Sequence, residues 1–363
     1  MSNCLEAISG ADVIICCGPG GVGKTTVSAS LAIALAEEGK RVCVMTVDPA
    51  RRLADVLGIS TISNEPSIVT AITPGVLSAM MLDTASTFDR LIDRYAPTLE
   101  QAETIRATRI YQAMVSSLGG TQEYMAMEKL YELSTSGNYD VIVVDTPPTR
   151  NALELLDAPQ RITQLFENRL FRALLMPTKA YLRAFGLATQ AMLKAVSSAA
   201  GAELVADAVA FLQAFAGMEE GFVERSNAMR ALLRADTTRY IVVTAPRTDA
   251  VAEALFFAEQ LRTTGPAVAA VIVNRRTPDF GEVRALERKH KTGAVADLVA
   301  NLERLQADHE AEAELVAGLV ASAGAPTVVE LPLVADDSHD LAGLRAMAQG
   351  LRGVPPRRPR RRE

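Results

Sequence analysis

Gly18-Pro19-Gly20-Gly21-Val22-Gly23-Lys24-Thr25-Thr26 lies between an apolar run, residues 13–17, and an Ala- and Leu-rich run, residues 27–38. The stretch fits G-x-x-x-x-G-K-[ST], and its flanks are the strand and amphipathic helix that this pattern needs. Glycines let the backbone wrap an anion with successive N–H groups turned inward. The following helix adds the positive end of its dipole. In this reading Gly20, Gly21, Val22 and Gly23 cradle phosphates, and Lys24 reaches the outer ones. Thr25 offers its hydroxyl to a Mg²⁺, and Thr26 completes the nucleotide-contacting set. Working outward, Gly39 closes the helix and residues 42–47 form a second apolar run, which completes a βαβ unit.

Four more runs share the character of these strands, at residues 141–144, 240–244, 269–273 and 327–331. They are β-branched and apolar throughout rather than alternating, as expected of strands covered on both faces of a parallel sheet. The predicted fold is an open, doubly wound, mostly parallel α/β sheet with its ligand beyond the carboxyl ends of the strands. Two carboxylates fall at such ends. Asp145 closes Val141-Ile142-Val143-Val144-Asp145, which places it near the Mg²⁺. Asp48 follows the second run, where it can orient or deprotonate an attacking water. Thr25, Asp48 and Asp145 form the expected metal set, with Asp48, Lys24 and Asp145 as the catalytic one. An Asp at either position also suits a helix cap.

Between residues 144 and 240 the chain is too long for one crossover and reads as helical. Residues 181–218 are apolar at 26 of 38 positions and carry four charges. Leu182, Phe185, Thr189, Met192 and Val196 step by three and four, as do Leu204, Ala208, Phe211, Phe215, Met218 and Phe222. Helices this apolar are buried, paired, or part of a surface that receives something apolar. Residues 84–133 form a second helical stretch, in which Met114, Tyr124, Met125, Met127 and Leu130 suggest a packed face. The expected organisation is a nucleotide domain from 1–150 and 236–350. A helical subdomain comprises 151–235 with part of 84–133, and residues 351–363 form a disordered Arg- and Pro-rich tail.

Composition narrows the function. Thirty-seven basic residues against 43 acidic ones give a net charge of −6, which argues against nucleic-acid binding. The four cysteines all lie within the first 43 residues and form no CxxC, so neither a disulfide framework nor a zinc site is expected. Glu6 and Asp12 interrupt any leader, and no uncharged apolar run reaches the ~18 residues of a membrane span. A reduced, cytoplasmic protein is the expectation, with the basic tail offering peripheral attraction to anionic lipid.

The GGVGKTT loop, the Val47-Asp48-Pro49-Ala50 segment and Asp145-Thr146-Pro147-Pro148-Thr149 together resemble the ArsA-like ATPases. That family includes arsenical-pump ATPases, ATPases that target tail-anchored membrane proteins, and actinobacterial anion-transporting ATPases. The resemblance implies a P-loop NTPase of the deviant Walker A, SIMIBI type that uses ATP and Mg²⁺. It makes Asp48 the water-positioning residue of switch I and puts Asp145 in switch II. Asn274 and Pro332 would flank the adenine, and the helical insert would face a client. Three departures qualify it. Pro19 stands where the family usually carries a Lys that crosses a dimer interface. Arg51, Arg150 or a Lys-bearing paralogue in a heterodimer would then have to replace it. The zinc CxxC of the eukaryotic targeting factors is absent, and no mid-chain Cys offers the thiolates a metalloid site needs. The implied function is an ATPase that opens and closes a helical subdomain around a hydrophobic or membrane-protein client, as a homodimer or heterodimer. A weakly active nucleotide-binding partner subunit and the energising subunit of an anion transporter are the alternatives.

Overall fold

The computed structural model describes residues 3–48, 52–59, 62–69, 72–117, 121–147, 152–167, 207, 211, 214–215, 217–264, 268–281, 294–323, 327–334 and 340–354. Contacts divide the chain into two compact units. One comprises Met1–Met81, Leu133–Leu153 and Arg234–Glu363, the other Leu82–Glu132 and Glu154–Leu233.

The first unit is built on one eight-stranded sheet. Its strands are β1 (Val13–Cys17), β2 (Arg41–Thr46), β3 (Ser67–Val69), β4 (Val76–Met81), β5 (Val141–Asp145), β6 (Thr238–Thr244), β7 (Val268–Arg276) and β8 (Thr327–Pro332), in the order β3-β4-β2-β5-β1-β6-β7-β8. Every pairing is parallel except β3 with β4. The chain moves from β1 through β2 to β3 at one edge of the sheet, steps back to β4 and then returns through β5, between β2 and β1. It continues to the other side through β6. β1 therefore stands at the point where the winding reverses, the position at which open α/β sheets bind ligands. All five residues of β1 and of β5 are buried, as the uninterrupted apolar runs predict.

Two strands escaped the sequence reading. β3 is three residues long, and β4 is interrupted by Ser78 and begins at the exposed Val76. An edge hairpin does not need the continuous apolar run of a central strand.

The helices of this unit are α1 (Cys4–Ala7), α2 (Lys24–Glu37) and α3 (Arg52–Leu57), then the later α10 (Thr248–Thr264), α11 (Ala294–Ala323) and α12 (Leu341–Leu351). α2 begins at Lys24, three residues before the apolar run. It is buried along almost its whole circumference, which corrects the amphipathic expectation. The reason is α12. Leu344, Ala348 and Leu351 are fully buried within the same apolar core as α2. Arg345 and Arg352 ion-pair with Glu37 at 3.1 and 3.0 Å, and Arg352 also donates to the Ala34 carbonyl at 2.7 Å.

The second unit is helical: α4 (Thr84–Tyr95), α5 (Leu99–Ala107), α6 (Arg109–Ser117), most of α7 (Thr121–Thr135) and of α8 (Ala152–Glu167), and α9 (Glu219–Arg234). Asp83 and Thr98 cap α4 and α5 by accepting from the Ser86 and Gln101 amides. Tyr124, Met125, Met127 and Leu130 on α7 are buried as expected, while the Met114 side chain lies outside the described residues. Of the two apolar series, Phe211, Phe215, Met218 and Phe222 are described, and all four are buried. Phe215 meets Phe211 and Phe222 with ring centroids 4.8 and 5.8 Å apart, and Tyr95 packs against Phe222 at 5.4 Å with its ring tilted by 39°. These members are core rather than receiving surface. The series members from Leu182 to Ala208, Arg51, Arg150 and the tail from 355 lie outside the described residues.

A charged pair stands in this core. Glu128, 3% exposed, accepts from the Arg225 Nε at 2.9 Å, and the Arg225 guanidinium lies 4.0 Å from the Tyr131 ring centroid. Removing one partner of such a pair leaves the other charge buried without compensation. Glu128→Ala is expected to cost about 3 kcal/mol of unfolding free energy, read as a lower urea midpoint. An unchanged midpoint would show the pair to be dispensable.

Candidate active site

The loop after β1 is shaped by its contacts with β6 and β7. Gly18 has φ +141°, and a Cβ there would sit 2.0 Å from the Val243 carbonyl oxygen, so only glycine lets the loop leave β1 this close to β6. Gly23 caps α2 in the left-handed region at φ 92°. A Cβ on it would meet the Asn274 amide nitrogen at 2.4 Å. No side chain caps the first turn of α2, whose N–H groups are thus available to an anion.

Lys24 heads that turn and is 5% exposed. Its Nζ donates to the carbonyls of Gly18 at 2.9 Å and Pro19 at 2.7 Å. Burial pulls the ammonium pKa down from its usual value, against the opposing pull of Asp145, Asp48 and other anions nearby. A cation is thereby fixed against the loop backbone.

Asp145 ends β5 at 1% exposure. Thr25 and Thr46 donate their hydroxyls to its Oδ2 at 2.8 and 3.0 Å, while its Oδ1 has no partner among the described residues. A buried carboxylate oxygen without a partner costs free energy, and a divalent cation beside the Thr25 hydroxyl relieves that cost. The residues therefore fit a Mg²⁺. Among the described residues no cluster of three or more His, Cys, Asp or Glu is placed to hold a metal by itself. The four cysteines are buried; burial raises the Cys4 and Cys17 thiols to about 12 and pushes Cys16 higher still.

Burial raises the Asp145 pKa to about 6, although the hydrogen bonds from Thr25 and Thr46 pull it down. Between pH ~4 and ~6 the folded chain therefore binds more protons than the unfolded one, and stability falls as pH rises. Above pH 6 the deficit reaches about 3 kcal/mol. In nucleotide-free protein, Asp145→Asn is expected to be the more stable form at pH 7, with the gap closing toward pH 4. Urea unfolding across that range measures it, and parallel curves would contradict the buried charge.

Asp48 lies two residues beyond β2 and is half-buried. Its carboxylate is 3.8 Å from Arg52, and its N–H donates to the Thr46 hydroxyl at 3.3 Å. Thr46, absent from the predicted set, thus ties the Asp48 backbone to the Asp145 carboxylate. Its only signal was a hydroxyl at the end of an apolar run. A cleft of about 220 Å³ is lined by Lys24, Thr25, Asp48, Asp55, Thr146 and Arg275 among others. Gly21, Gly23 and Thr26 also line it, whereas Gly20, Val22, Asp145, Asn274 and Pro332 are not part of its lining. Asn274 is 3% exposed and donates its Nδ2 to the Val22 carbonyl at 2.9 Å. Pro332 ends β8 opposite Arg276.

Arg275 was also missed. It holds φ 63°, the left-handed region that costs a non-glycine residue roughly 1–2 kcal/mol. Its Nη1 donates to the Gly21 carbonyl at 3.0 Å. The next residue, Arg276, is buried and ion-pairs with Glu312 at 2.6 Å and Glu330 at 2.8 Å.

The profile of the family described as "Anion-transporting ATPase" matches residues 11–297, which contain β1 to β7 and every one of these groups except Pro332 and the anchors of Arg276. The chain belongs to this ATPase family. Its members' resemblance, noted from three short segments, thus extends over most of the sequence. Similar proteins include "ATPase ASNA1 homolog 1" of Paramecium tetraurelia, 37% identical over 39% of this chain and 42% of that protein. "ATPase get3" of Aspergillus terreus is 36% identical over 39% of this chain and 41% of its own. SCO2128 of Streptomyces coelicolor is 33% identical over 46% of this chain and 40% of its own. The chain thus spans about two-fifths of the length of these curated relatives. In this family member Lys24, Thr25 and Asp48 line one cleft, and Asp145 is bonded to Thr25 behind that lining.

Proposed function

We propose that this chain is a Mg²⁺-dependent ATP hydrolase whose nucleotide state sets the arrangement of a helical client-binding subdomain. The observation that carries the proposal is Asp145: a fully buried carboxylate at the end of β5, bonded through one oxygen to Thr25 and Thr46, with the other oxygen buried and without a hydrogen-bond partner among the described residues. In this reading Gly20 to Thr26 hold the phosphates, and Asn274 and Pro332 flank the adenine. Thr25, Asp48 and Asp145 hold the Mg²⁺, which when bound neutralises phosphate charge. Lys24 stabilises the charge that develops as the outer phosphoryl group leaves. Asp48 orients the attacking water or takes its proton.

Chain continuity supports a link to the helices. Six residues separate Asp145 from the start of α8 at Ala152, so a phosphate-dependent rearrangement after β5 is passed on within two turns' length of backbone. The subdomain, residues 151–235 with part of 84–133, handles a hydrophobic or membrane-protein client, by analogy with the targeting members of the family. The protein works in the cytoplasm and in pairs, with peripheral membrane contact through its basic tail. Among the described residues no helix is long and apolar enough to cross a membrane.

Pro19 favours a second reading, a weakly active subunit that pairs with a Lys-bearing paralogue. Phosphate release per chain, measured against protein concentration alone and with such a paralogue, separates the two. Turnover that rises with concentration of the single chain supports the first. Turnover only in the mixture supports the second.

A further inference from the structure

Two consecutive residues of β7 reach two consecutive carbonyls of the phosphate loop. Asn274 Nδ2 donates to Val22 at 2.9 Å and Arg275 Nη1 to Gly21 at 3.0 Å. A trans peptide points its N–H opposite to its C=O. Fixing the Gly21 carbonyl therefore aims the N–H of Val22 away from Arg275, and fixing the Val22 carbonyl does the same for the N–H of Gly23. We propose that Asn274 and Arg275 form a positioning clamp that holds the loop's N–H groups in their anion-binding orientation before a phosphate arrives.

Three features support the clamp. Arg275 keeps a left-handed backbone that glycine would adopt without strain, and its side chain is what glycine would lack. A conformation costly to the fold and retained at a cleft wall points to use there. Arg276, buried between Glu312 of α11 and Glu330 of β8, anchors the segment, with its Nη1 also donating to the His309 carbonyl at 2.9 Å. Thr277 adds two bonds to Glu312, from its N–H and its hydroxyl, each 2.8 Å. The clamp is thus mounted on a fixed support. Arg275 also lines the cleft, so the donor that orients the loop brings a positive charge to the same wall.

The inference rests on the nucleotide-binding reading, and its test separates the two. Calorimetric titration of ADP and of inorganic pyrophosphate, each with Mg²⁺, is compared for the wild type, Arg275→Gly and Arg275→Lys. Arg275→Gly relieves the backbone and is expected to unfold at the wild-type temperature or above. Its ADP and pyrophosphate dissociation constants are expected to rise about tenfold together, because the clamp acts on the phosphate loop and not on the base. Arg275→Lys, which keeps a charged donor, is expected to recover binding to within about threefold of wild type. Unchanged binding in Arg275→Gly overturns the clamp, as does a loss confined to ADP, a fall in its unfolding temperature, or failure of Lys to rescue. A wild type that binds neither ligand removes the nucleotide reading itself.

Discussion

Lys24→Ala is expected to lower ATP turnover by roughly 10³-fold or more. The magnitude follows from where the ammonium sits. Its Nζ is held by the Gly18 and Pro19 carbonyls, within a residue that is 5% exposed. In that setting a positive charge acts on phosphate with little screening by water, and it needs no reorganisation as charge develops. Arginine at the same position would not substitute freely, because the space between the two carbonyls suits a compact ammonium. Alanine also leaves those carbonyls without their donor, so a parallel thermal melt is needed to show that the variant is folded. Steady-state phosphate release is the assay. A folded Lys24→Ala protein with undiminished turnover would remove this loop from catalysis.

Asp48→Asn is expected to separate binding from hydrolysis. General-base or water-positioning groups contribute 10²–10⁴-fold, so turnover should fall by about 10²-fold or more while ADP affinity measured without Mg²⁺ changes by less than about threefold. The geometry makes the separation reasonable. Asp48 lies at the cleft wall with Arg52, and its backbone is tied through the Thr46 hydroxyl to Asp145. Asparagine preserves that backbone bond and the size of the side chain, and removes only the charge and basicity. Single-turnover phosphate release combined with calorimetric titration measures both halves. Normal hydrolysis by Asp48→Asn would contradict its assigned role, and a loss of ADP binding equal to the loss of turnover would make it a binding residue.

Much of this arrangement was legible because central strands of a covered sheet leave an unambiguous trace. Val13 to Cys17 and Val141 to Asp145 are buried at every position, and a run without alternation is how such burial looks in sequence. The carboxylate ending β5 and the glycines preceding Lys24 then placed the chemistry at the strand ends. What stayed hidden depended on distant partners. The coat over α2 comes from Leu344, Ala348 and Leu351, some three hundred residues later, so the local pattern could not tell its buried outer face from a helix with one wet side. β4, with Ser78 in its middle, carries too little apolar continuity to stand out.

Arg275 shows the same limit within the site. In sequence it is one Arg among many. Its distinction lies in a φ of 63° and in a hydrogen bond to a glycine 254 positions earlier. Asn274 was placed by resemblance beside a base, and the fold adds a contact that resemblance did not contain, the bond to Val22 beneath the loop. The apolar series through Phe211, Phe215 and Met218 divides similarly. Periodicity put these residues on one helix face, but the chain turns at Phe215 and Gly217 before α9 begins at Glu219, and the contacts of Phe215 and Tyr95 with Phe222 make the buried members part of the subdomain's own core.

Phosphate release from ATP by the chain of residues 1–363, first with Mg²⁺ and then with excess EDTA, tests the central claim most directly. Thr25 and Asp145 acting on a metal-bound nucleotide predict many turnovers per chain with Mg²⁺ and almost none once it is chelated. Release that is absent with Mg²⁺, or equal in EDTA, would contradict an ATP hydrolase built on these residues.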